Sequence, residues 1–118
     1  MVESMSTTPP PDDPVGFQLI AILNDPDAPE ADQLDAAMDL DLHSGPRFEQ
    51  SIFEILRRED FSSVLAQMCA ESLAGIWARE DRIDEEFFSE LRGPAIREVL
   101  GILGARAPHL IPEGLRQS

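Results

Sequence analysis

The stretch FSSVLAQMCAESLAGIWARE, residues 61–80, carries apolar side chains around most of a helix circumference. At about 100° per residue, Val64, Leu65, Met68, Cys69, Leu73, Ile76 and Trp77 cover a wide arc, which predicts a helix buried by neighbours on two sides. Those neighbours must come from the rest of the chain. Its other apolar segments also repeat at helical spacing, none alternates like a strand, and β-branched residues are sparse.

Breakers divide the chain into further helices. Asp13-Pro14 reads as an N-cap followed by proline at the first helical position. It opens PVGFQLIAILND, whose apolar face is Phe17, Ile20, Ala21 and Leu23. NDPDAP (24–29) is a turn, and an acidic helix follows from about Pro29 to Leu40. Its continuation would turn Asp41 into the apolar side, so it ends before HSGP. Ser44-Gly45-Pro46 restarts the chain into PRFEQSIFEILRRED, with Phe48, Ile52, Phe53, Ile55 and Leu56 at helical spacing. After residues 61–80, DRID is a turn, Asp84 is an N-cap for EEFFSEL, and Gly93-Pro94 opens AIREVLGILGARA. Pro108 ends that helix. The reading is all-α, about six helices in three antiparallel pairs, forming one domain over residues 14–110. Residues 1–13, with three consecutive prolines, are a Pro/Asp-rich leader, and 111–118 are a C-terminal tail.

The second helix of each pair resembles the others: LDAAMDLD (34–41), AESLAGIW (70–77) and REVLGILG (97–104), at offsets of 36 and 27 residues. The run AESLAGIWAREDRIDEEFFSELRGPAIREVLGILG is similar to HEAT-type repeats, with an alanine- and leucine-rich inner helix, a short outer helix and a second inner helix. The resemblance covers residues 17–107 as three pairs and departs from the family in its uneven period and its Asp-rich first pair. It implies a HEAT-like mini-solenoid or bundle that binds other proteins and is not an enzyme. In size and acidity the chain also resembles small bacterial immunity proteins that neutralise toxins.

Charge narrows the partner. Acids number 23 against 9 bases, all Arg, for a formal net of −14. Residues 1–46 hold ten acids and no base, whereas residues 47–118 hold thirteen acids with all nine Arg, a net of −4. Nucleic acid and anionic membranes both require a basic face, so a basic protein is the expected partner. Solubility alone is the bland account of the acid; salt adaptation would spread it over the whole surface. On the acidic helix Asp32, Asp35 and Asp39 fall within about 60° of one another, opposite Leu34, Ala37 and Met38. Asp35 and Asp39 are like charges four residues apart, which costs an isolated helix a few tenths of a kcal/mol.

Catalytic signatures are missing. His43 and His109 stand in separate loops, and Asp39, Asp41 and His43 lie on a helix running into a turn, so they predict no metal site. Cys69 falls in the apolar arc and reads as a buried thiol. There is no phosphate loop, dinucleotide fingerprint or serine elbow, and neither Lys nor Tyr is present. No apolar run approaches the roughly 20 residues of a membrane span, and the N-terminus shows no secretory signal. With a single cysteine, the expected compartment is the cytoplasm.

The expectation is an inhibitor without cofactor or metal, an immunity protein covering the basic cleft of a toxin domain such as a nuclease. Its contact surface would be Asp25, Asp27, Glu30, Asp32, Asp35, Asp39 and Asp41. Trp77 reads either as core packing between repeats or as an exposed anchor, and it joins the candidate contacts in the second reading. The alternative function is a HEAT-like adaptor or scaffold in a larger complex.

Overall fold

A computed structural model of the chain describes residues 14–115. Among these residues the regular structure is entirely helical: α1 Pro14–Leu23, α2 Glu30–Asp39, α3 Pro46–Arg58, α4 Val64–Glu80, α5 Glu85–Glu90 and α6 Gly93–Arg106. Short 3-10 turns follow at Leu40–Leu42, Pro108–Leu110 and Glu113–Leu115. The leader and the Asp13 cap lie outside the described residues.

α4 is the helix against which the others are arranged. Ala66, Ala70, Ala74 and Gly75 are buried along it with Cys69, Ser72, Leu73, Ile76 and Trp77. These small residues let neighbouring backbones come close. α2 packs on one flank and α6 on the other, so α2, α4 and α6 lie side by side. On the α2 flank the Ser72 hydroxyl donates to the Ala37 carbonyl at 2.6 Å.

The first helices of the pairs make a second layer. α1 packs on α2 and α3, and α3 packs on α4. α5 joins α3 through Phe87, stacked on Phe53 with ring centroids 4.4 Å apart, and through the Arg57–Glu90 ion pair at 2.7 Å. α6 takes α4 as its main partner. One continuous core runs from Ile20 to Ile111, so the first and last helices share it.

Local chemistry sets the ends. The Ser63 hydroxyl accepts from the Ala66 amide at 3.0 Å and caps α4, and the Asp84 carboxylate accepts from the Phe87 amide at 3.0 Å and caps α5. α4 therefore begins at Val64 and not at Phe61. The residues before it form a turn in which Asp60 and Phe61 have φ of 53° and 58°. A bulky side chain avoids that region unless its surroundings over-determine it. Here the Phe61 amide donates to Leu56 at 2.9 Å and its carbonyl accepts from Ala95 at 3.0 Å. Its buried ring meets Phe53 edge-on at 5.7 Å, with the Arg92 guanidinium 4.6 Å from its centroid.

Two faces differ from expectation. Ala21 is exposed, and α1 buries Gly16 with Ile20 and Leu23, because Phe48 leaves no room for a side chain: a Cβ on Gly16 would lie 2.8 Å from its ring. Met38 is 57% exposed, and α2 approaches α4 on the smaller Ala36 and Ala37 instead.

Glu49 of α3 is 3% exposed, the one carboxylate buried among the described residues. Its Oε1 accepts from the Trp77 indole Nε1–H at 3.0 Å, and Arg82, just past α4, closes on Oε2. Arg82 also pairs with Glu80 at 2.7 Å. Truncating Arg82 strands a buried charge, and truncating Glu49 strands the indole donor, so each alanine variant should lose about 2 kcal/mol. The double variant should be little worse than Glu49→Ala, because the two changes delete one shared interaction. Urea unfolding followed by Trp77 fluorescence checks this; additive losses would show the groups to be independent.

Cys69 is fully buried, and that burial pushes its thiol from an ordinary value of 9.0 up to about 12. The folded state keeps a proton that the unfolded chain releases. This contribution is intact below pH 9 and is lost as pH rises towards 12. With no Lys or Tyr titrating in that window, stability should fall there by up to about 1.4 kcal/mol per pH unit. Unfolding measured across the window should show the slope in the native sequence and its loss in Cys69→Ala; equal slopes would place the thiol in water.

Candidate partner-binding groove

The acidic helix meets the turn before it to form a groove. Pro29 precedes α2, and Glu30 and Asp32 occupy its first turn, where the helix dipole favours negative charge. Asp35 and Asp39 lie further along and gain nothing from the dipole, and no base stands in the last turn. The turn itself is stiffened by an Asx bond, the Asp27 amide donating to Asp25 Oδ1 at 2.9 Å. Gln33 Nε2 donates to the carbonyls of Asp25 at 3.0 Å and Ile22 at 3.3 Å, tying α2 back to the end of α1. Arg58 satisfies that end from α3, donating to Asn24 Oδ1 at 2.8 Å and the Leu23 carbonyl at 3.1 Å.

The result is a groove of about 510 Å³ between α1 and α2. Asp25 and Asp27 enter it from the turn and Asp32, Asp35 and Asp39 from α2, beside apolar walls of Leu19, Ile22 and Ala36. All five carboxylates are exposed, no base lines the groove, and none of the five forms an ion pair among the described residues. Four of the arginines are engaged elsewhere. Arg57 pairs with Glu90, Arg82 with Glu49, and Arg92 with Asp60. Arg79 donates to the Asp41 and His43 carbonyls.

The structure thus brings together five of the eight residues proposed from sequence and separates three. Glu30 is exposed but turns to a different hollow, shared with Gln33, Leu34 and Val64. Asp41 is half-buried against α4: a Cβ on Gly75 would lie 3.3 Å from its Oδ2 and 3.5 Å from Arg106 Nη1. The 3-10 turn carries Asp41 to that inward side, where the glycine leaves room. Trp77 has no exposed surface, since its ring packs beside Phe88 at 6.4 Å and its indole nitrogen bonds Glu49. It belongs to the core and is not the exposed anchor that the sequence allowed. What sequence reading missed was the apolar wall from Leu19 and Ile22, which required knowing how α1 and α2 pack.

A second, larger hollow of about 690 Å³ lies between α5 and the C-terminal turns, against Ile83, Phe88, Leu110 and Ile111. Among the described residues no group of three His, Cys, Asp or Glu is placed to hold a metal ion, and no helix is long and apolar enough to cross a membrane. His43 packs edge-on to Phe48, with centroids 6.1 Å apart. Comparison of the chain with protein-family models, with curated proteins and with solved structures finds no match.

One acid–acid contact lies outside the groove, where Glu71 of α4 shares a hydrogen bond with Glu98 of α6. Burial, and then that bond and the Glu98 charge, raise the Glu71 carboxyl above the ordinary 4.5. Its stabilising share is present below that value and is lost as pH rises. Glu71→Gln should therefore gain a few tenths of a kcal/mol at neutral pH, as relief of one exposed like-charge contact allows. Thermal unfolding at neutral and acid pH checks this, and a variant less stable at neutral pH would contradict it.

Proposed function

We propose that this chain is a protein-binding inhibitor that presents the α1–α2 groove to a basic partner, in the manner of an immunity protein covering the cleft of a toxin domain. The supporting observation is the set of five exposed, unpaired carboxylates around one apolar-walled groove. Carboxylates accept strong charge-assisted hydrogen bonds from Arg and Lys, the side chains that a nuclease cleft uses to hold phosphates. A net charge of −14 also speeds encounter with a basic protein. The repulsion between Asp35 and Asp39 costs the free helix little and is relieved in such a complex. The HEAT-like adaptor is the competing reading, in which the acid serves solubility alone.

The test is the triple variant Asp32→Asn, Asp35→Asn, Asp39→Asn, titrated against the protein captured from the native host. Folding should be unchanged or slightly improved. Binding should weaken roughly fivefold or more, about 1 kcal/mol, with slower association and a reduced salt dependence. Protection of the host from the captured partner should fall in parallel. A triple variant that binds and protects like the native chain would reduce the groove to a solubility device.

A further inference from the structure

The larger hollow is walled by α5 and the C-terminal turns. At about 690 Å³ it falls within the roughly 300–1,000 Å³ of small-molecule sites. Phe88 forms its floor at 6% exposure, with Ile83 on one wall and Leu110 and Ile111 on the other. Its edge carries two carboxylates, a hydroxyl and an imidazole. Glu85 and Glu113 both line it, neither forms an ion pair among the described residues, and no Arg among those residues lines it. Ser89 turns its hydroxyl to the Glu86 carbonyl at 2.8 Å, and His109, also at the edge, meets the Asp81 carboxylate at 2.5 Å.

We infer that this cleft binds a small amphipathic cation, an aliphatic or aromatic body carrying an amine or guanidine. The apolar body fills the space over Phe88, and the cation donates to Glu85 and Glu113. A neutral apolar ligand of the same shape gains no such charge-assisted bond, and an anion would be repelled. The cleft shares no residue with the acidic groove, so this inference stands apart from the inhibitor reading.

Phenylbutylamine and phenylbutyrate make a matched pair, alike in body and opposite in charge. Amide chemical-shift mapping of the full chain at neutral pH and low salt should show millimolar phenylbutylamine moving residues 83–89 and 109–115. The amine should bind at least about tenfold more tightly than the acid. Glu85→Gln with Glu113→Gln should erase that preference, and Ser89→Trp, which fills the hollow from an exposed position, should abolish binding of both. Trp77 fluorescence gives a second readout, because Phe88 lies between the cleft and the indole, 6.4 Å from its ring. The proposal is overturned if the amine shifts only residues 25–39 or none at millimolar concentration, if the two probes bind equally, or if the Gln pair leaves the preference intact.

Discussion

The Glu49 carboxylate is the constraint on which the arrangement of this bundle depends. A charged group taken out of water is destabilising unless its oxygens are satisfied. In this fold the satisfying donors are Trp77, near the end of α4, and Arg82, in the loop beyond it. α3 can therefore sit on α4 in few registers, since sliding by a turn would move Glu49 some 5 Å from the indole. With α3 placed, Phe53 receives Phe87 and Arg57 receives Glu90, which seats α5. The alanine and glycine surface of α4 then takes α2 and α6 on its flanks.

The same network explains where charge is left over. Arg57, Arg79, Arg82 and Arg92 are drawn into contacts with carboxylates and carbonyls, within residues 47–118, the part of the chain that holds all nine Arg. Arg58 is turned to the carbonyl end of α1, where a cation suits the helix dipole. None reaches into the α1–α2 groove. The first pair thus keeps an uncompensated set of carboxylates on a scaffold whose own packing does not need them, which suits a surface presented to something else.

Most of the fold was legible in the chain because helix punctuation is local chemistry. Asp84, Gly93-Pro94 and Pro108 act within a few residues of themselves, and their effects appear where the pattern puts them. Tertiary contacts decided the rest. Phe61 reads as the first turn of a helix, yet Phe53, Arg92 and the Ala95 amide hold it left-handed. Met38 reads as an inner residue, yet two adjacent alanines give α4 a closer approach. Of the candidate site, the ridge Asp32–Asp35–Asp39 followed from helical period alone. Whether Asp41 and Trp77 belonged to it depended on Gly75 and Glu49, residues distant in sequence that carry no motif.

The exchange of the Trp77 indole Nε1 proton tests the central claim most directly. If Glu49 holds that proton inside the core, it should exchange only when the whole molecule unfolds. Its protection should then equal the stability obtained from denaturant and fall in step with it as urea is added. An indole proton that exchanges rapidly under native conditions, independently of denaturant, would contradict the account.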